Sequence, residues 1–196
     1  MKILTKNKMI KMLPIAFFTY LFVSQSTMAD AYKNASELAQ VCTSCHGGNG
    51  ISNDKNTPNL AGQKKGYIEQ EVKAFRDGKR DNPQMLPYVS KLSNEDITQL
   101  ADYFSARKNE TKGDDNYNKS GENVRARCVS CHGMNGITVT TLWPNLAGQQ
   151  SLYLQKQLQH FKSGKRKSPI MEVIAQELTD KEIADVAEYY SQQAAY

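Results

Sequence analysis

Two five-residue stretches carry the chemistry of this chain: Cys42-Thr43-Ser44-Cys45-His46 and Cys128-Val129-Ser130-Cys131-His132. Both read C-x-x-C-H. Thiols at this spacing add across the two vinyl groups of one porphyrin, and the adjacent imidazole is then delivered to the iron. The chain has four cysteines and three histidines; all four cysteines and two of the histidines lie in these motifs. The reading is two haem c groups, attached through Cys42 with Cys45 and Cys128 with Cys131, with His46 and His132 as proximal iron ligands.

A second axial ligand must come from elsewhere. His160 is the remaining histidine; it faces Ala74 in the repeat described below, so it cannot serve two haems and reads as a surface residue. Met85 and Met171 are the better candidates, each 39 residues beyond its histidine in a Pro-containing segment. A thioether is soft and neutral, so it favours ferrous iron. Met134 lies two residues from His132, too close to reach the opposite haem face. Pro58 and Pro144 sit 12 residues beyond the histidines, either as plain turn residues or with a backbone carbonyl accepting the imidazole Nδ1–H. Lys79, Arg80, Lys165 and Arg166 read as solvated charges or as partners of haem propionates, the former being the simpler.

The elements that must hold these groups repeat at a constant offset of 86 residues. Pro58-Asn59-Leu60-Ala61-Gly62-Gln63 recurs as Pro144-Asn145-Leu146-Ala147-Gly148-Gln149, and Gly78-Lys79-Arg80 as Gly164-Lys165-Arg166. A period this long is a duplicated domain, not a solenoid repeat. Helical spacing predicts helices over 64–77 and 150–163, each stopped by a glycine. Residues 34–41 and 123–127 read as the end of a helix before each motif. Ser93 with Asp96 and Thr179 with Glu182 open the last helix of each half as capping boxes. The expected fold is all-α: two tandem helical domains over 30–108 and 117–196, each wrapped around its own haem and joined by a polar linker at 109–116.

The first 29 residues read as an export signal: Lys2, Lys6, Lys8 and Lys11, then an apolar stretch from Met12 to Val23, then small residues before Ala29. That stretch is shorter than the roughly 20 residues of a membrane span. Without this segment the chain has 21 basic and 20 acidic residues, spread evenly over both halves. Such balance excludes a nucleic-acid binder. Each half is small for a free-standing core, and a tethered macrocycle supplies apolar surface.

The tandem C-x-x-C-H domains, the P-N-L-A-G-Q segments and the late methionines resemble the cytochrome c4 family of bacterial dihaem electron carriers. The resemblance implies class I cytochrome c folds related by a pseudo-twofold axis, with axial pairs His46–Met85 and His132–Met171, and Pro58 and Pro144 in the proximal loops. It further implies a periplasmic monomer, at most loosely associated with a membrane surface. Its redox partners would be a quinol-oxidising complex and a terminal oxidase or periplasmic reductase. One departure stands out: family members often carry opposite charge on their two domains, whereas these halves are both near neutral. The rival functions are a dihaem peroxidase with one open iron site, a thiol–disulfide pair and a zinc centre shared by both C-x-x-C pairs.

Overall fold

A computed structural model describes residues 28–195. The segment read as an export signal lies outside these residues apart from its last two. The described chain is helical, with no strand. The first half comprises α1 (Met28–His46), α2 (Lys65–Arg76), α3 (Leu86–Val89) and α4 (Asn94–Ser105). The second comprises α5 (Lys119–Val124), a 3-10 turn (Arg125–Arg127), α6 (Val129–His132), α7 (Ser151–Lys162), α8 (Pro169–Gln176) and α9 (Asp180–Ser191).

In each half the last helix is the hub: α4 packs on α1 and α2, and α9 packs on α5 and α7. The two cores use matched positions. Ile97, Leu100, Ala101 and Phe104 are buried in the first, as are Ile183, Val186, Ala187 and Tyr190 in the second. Burial of each isoleucine, leucine, valine or phenylalanine among them stabilises the fold by about 1.5–3 kcal/mol. Both capping boxes form. The Ser93 hydroxyl accepts from the Asp96 N–H at 3.1 Å, and the Asp96 carboxylate accepts from the Ser93 N–H at 2.8 Å. The Thr179–Glu182 pair does the same at 3.2 and 2.8 Å. Helices α2 and α7 fall within one residue of the predicted bounds.

The halves differ where the first helix meets its motif. The sequence predicts that the helix ends before each motif, but α1 runs on through Cys42 and Cys45 to His46. Its counterpart breaks into α5, the 3-10 turn and α6. The pairing of Ala39 with Arg125 accounts for this. Ala39 is fully buried against the hub, a seat a charged side chain cannot take unpaired. The chain tightens at Arg125, and its guanidinium reaches the Met134 carbonyl at 2.9 Å. One turn earlier, Gly121 lies so close to α9 that a Cβ there would sit 2.1 Å from the Asp185 carbonyl oxygen.

The halves dock through reciprocal hydrogen bonds. Gln149 accepts from the Asn59 N–H at 2.7 Å and donates to the Asn59 carbonyl at 2.9 Å. Gln63 makes the same pair with Asn145, at 2.8 and 2.9 Å. The Tyr67 N–H donates to Thr141 O at 2.8 Å, and its counterpart Tyr153 to Lys55 O at 2.9 Å. These matched contacts define a pseudo-twofold axis. The polar run 109–116 is a docked strap: Asn109 is buried, Thr111 O accepts from Ala195 N at 3.0 Å, and Asp114 N donates to Gln192 O at 2.9 Å. Its polarity serves these bonds as well as solvent. Among the described residues, no helix is long and apolar enough to cross a membrane.

Candidate haem sites

The first motif ends α1, and the second is the single turn of α6 with Cys128 just before it, so in each half two thiols and an imidazole emerge within little more than one turn. The chain must then reverse sharply. Gly47 and Gly133 adopt φ of +83° and +80°, and a Cβ there would lie 1.9 and 2.0 Å from the carbonyl oxygens of Ile51 and Ile137. Only glycine fits both the space and the torsion.

The returning loop brings a carbonyl under each imidazole. His46 Nδ1 donates to Pro58 O at 2.8 Å and His132 Nδ1 to Pro144 O at 2.9 Å. Of the two readings of these prolines, the geometry supports the carbonyl acceptor. Both rings are buried, and burial holds their pKa below the usual histidine range, with the carbonyl bond opposing. With the proton fixed on Nδ1, Nε2 keeps its lone pair for a metal. No described residue hydrogen-bonds either Nε2.

A further layer holds the loop. The Asn59 side chain accepts from the Ser52 N–H at 2.8 Å, and Asn145 accepts from Thr138 N at 3.0 Å. The Ser52 and Thr138 hydroxyls donate to the carbonyls of Cys45 and Cys131, at 3.2 and 2.9 Å. Asn59 and Asn145 thus brace the motif loop and the interface at once. Sequence reasoning assigned them no role, although the exact recurrence of P-N-L-A-G-Q was the available signal.

No disulfide joins any two of the four cysteines. Burial pushes the Cys42 thiol up to about 11 and also raises Cys128. A thiol–disulfide catalyst needs a lowered pKa, so the environment runs against that rival. Nor do the pairs converge on one zinc centre: among the described residues, no three His, Cys, Asp or Glu side chains group to hold a metal ion. Paired thiols beside an imidazole with its outer nitrogen tied and its inner nitrogen free fit a covalently held haem in each half.

Met85 lies half-buried just before α3, which packs on α2, while Met171 is half-buried in the first turn of α8, which packs on α7. The Ser168 hydroxyl accepts from the Met171 N–H at 3.4 Å. His160 is half-buried rather than exposed, with no haem motif near it in sequence. The sequence reading of Arg80 and Arg166 as solvated charges is corrected by their place at the interface. Both guanidiniums are largely buried, bonded to Glu71, Gln157, Tyr67 and Tyr153. Each also lies over a phenylalanine of its own half, Phe75 at 4.4 Å and Phe161 at 4.5 Å.

A helical hub around a C-x-x-C-H loop, present twice, defines the class I c-type cytochromes in a two-domain form. Family models agree: residues 119–193 match "Cytochrome c" and residues 29–104 match "Cytochrome C oxidase, cbb3-type, subunit III". Cytochrome c4 of Pseudomonas aeruginosa is 34% identical over 166 residues, covering 77% of this chain and 83% of that protein. A thiosulfate dehydrogenase electron acceptor of Stutzerimonas stutzeri is 32% identical, covering 91% and 93%. The crystal structure of reduced cytochrome c4 from Pseudomonas stutzeri superposes with a TM-score of 0.77 at 28% identity, covering 83% of this chain and 98% of that one. The chain belongs to the cytochrome c4 family. It is a dihaem electron-transfer cytochrome with two covalently bound haem c groups.

Proposed function

We propose that this protein is a periplasmic shuttle for single electrons, with His46–Met85 and His132–Met171 as the axial pairs of two low-spin haems held by Cys42, Cys45, Cys128 and Cys131. When bound, the haem supplies the reversible ferric–ferrous change. The chain's own residues do the rest. The Pro58 and Pro144 carbonyls hold the Nδ1 proton and fix each ring's orientation. Two neutral sulfur ligands favour the ferrous state. Burial of both rings keeps water from competing for the Nδ1–carbonyl bonds.

The observation that carries this reading is the symmetry of the sites: the same histidine–carbonyl bond in both halves, each with a methionine 39 residues on. A peroxidase needs the halves to differ, one iron keeping an open position. The test is ferric absorption spectroscopy. A methionine–iron charge-transfer band of full intensity for two haems is expected. Its loss at one haem, together with peroxide turnover, would favour the enzyme.

The respiratory route runs from a quinol-oxidising complex to a terminal oxidase or periplasmic reductase. A second route is favoured by the Stutzerimonas stutzeri relative, whose name makes it the electron acceptor of a thiosulfate dehydrogenase. Stopped-flow reduction by each donor separates the two.

A further inference from the structure

The interface cluster has one carboxylate for two guanidiniums. Glu71 bridges Arg80 and Arg166, the latter at 2.8 Å. Its counterpart across the pseudo-twofold axis is Gln157, whose side-chain oxygen accepts from the same two arginines at 2.6 and 3.0 Å. Tyr153 and Tyr67 complete the ring, accepting from Arg80 at 3.1 Å and Arg166 at 2.9 Å. The guanidiniums are 10% and 9% exposed and Glu71 15%. The cluster therefore keeps one positive charge in a poorly solvated region, where charge acts over a longer range than in water.

Its place between the two haem sites follows from the chain. Arg80 and Arg166 each stand five residues before a candidate axial methionine. Tyr67 N is bonded to Thr141 and Tyr153 N to Lys55, each three residues before the proline whose carbonyl holds a histidine. The cluster is tied to the proximal loops and precedes the distal segments of both halves.

We infer that Glu71 and Gln157 together set the potentials of both haems, by fixing the charge left between them at one positive unit. A positive charge nearby disfavours the ferric state and so raises a potential; a second carboxylate would cancel it. Resting on the dihaem reading, this assigns the pair a positioning and electrostatic role. Both side chains have near-isosteric exchanges: Gln157→Glu keeps every bond in which Gln157 accepts, whereas Glu71→Gln keeps the shape and sets an amide N–H against one of the two guanidiniums.

The test is a domain-resolved redox titration of the intact holoprotein and of Glu71→Gln and Gln157→Glu, with thermal unfolding in parallel. Glu71→Gln is expected to raise both potentials and Gln157→Glu to lower both, each by a severalfold change in the ferric-to-ferrous ratio at fixed ambient potential. Unmoved potentials in folded dihaem protein would overturn the inference, as would shifts of the same sign in both variants, the mark of mere packing damage. If Glu71→Gln does not fold, Gln157→Glu decides alone by whether its potentials fall. Recovery of the unmutated protein without two covalent haems would instead overturn the reading beneath it.

Discussion

The two halves agree in the groups that seat each histidine and differ in the helix leading to it and in the segment that carries each methionine. The histidine–carbonyl bond, the glycine turn after the motif, the asparagine brace and the capped hub helix recur within a few tenths of an ångström. The first helix, by contrast, runs whole to His46 in one half and breaks at Arg125 in the other. The methionine segment holds a four-residue helix in one and an eight-residue helix in the other. The matched parts are those that seat the histidine, cap the hub helix or dock the halves; the segments between them have diverged.

The strongest way to break this equivalence is at the attachment thiols. Cys45→Ala or Cys131→Ala should leave the protein with one haem, seen as the loss of one haem in intact mass and in pyridine haemochrome absorbance. Loss of both would mean that the halves do not mature separately.

Next comes the axial pair. Met85→His and Met171→His should each lower one potential by a sizeable part of the roughly 0.8 V that axial ligands command, leaving the other nearly in place. A variant with both potentials unchanged removes that methionine from the ligand set.

Gly47→Ala and Gly133→Ala should each destabilise by about 3 kcal/mol or fail to fold, because the torsion and the facing carbonyl both forbid a Cβ. Comparable losses in chemical denaturation of the two variants would sharpen the equivalence; a tolerated alanine in one half would break it.

The cap residues come lower on the scale. Ser93→Ala and Thr179→Ala should cost about 1 kcal/mol each by the same measurement. The smallest effect concerns the residues before the prolines, Asn56-Thr57 against Leu142-Trp143. The apolar pair should exclude more water from the second site and give the C-terminal haem the higher potential. Yet Leu142 and Trp143 remain 57% and 37% exposed, so the shift is small. Exchanging the pairs should reduce the difference between the halves in a redox titration followed by NMR.

What was legible in the sequence was what each half does for itself. Ser93 and Thr179 announced their helices because a capping box is local, and Ile97 and Ile183 announced their faces because helical period is local. The motif histidines were readable because covalent attachment admits one spacing. The Pro58 and Pro144 carbonyls were half legible, since a spacing of 12 residues permits a loop without aiming it. The interface stayed hidden. Arg80 and Arg166 follow a helix-stopping glycine and a lysine, which marks a surface, and only the docking of the two copies buries them. Arg125 was silent for a related reason: that Ala39 fills a closed seat is a property of the crossing with α4 and not of the helix itself.

The reciprocal bonds of Asn59 with Gln149 and of Asn145 with Gln63 have one more consequence. Each half carries both sides of the contact, as the subunits of an isologous dimer do. The chain is in effect a homodimer made permanent by a strap of some eight residues. The tether keeps the partner at high local concentration however dilute the protein, so the contact itself can stay small and polar. It also frees the two copies to diverge, because a change such as glutamine for glutamate at position 157 appears once per molecule, where a true homodimer would have to carry it twice.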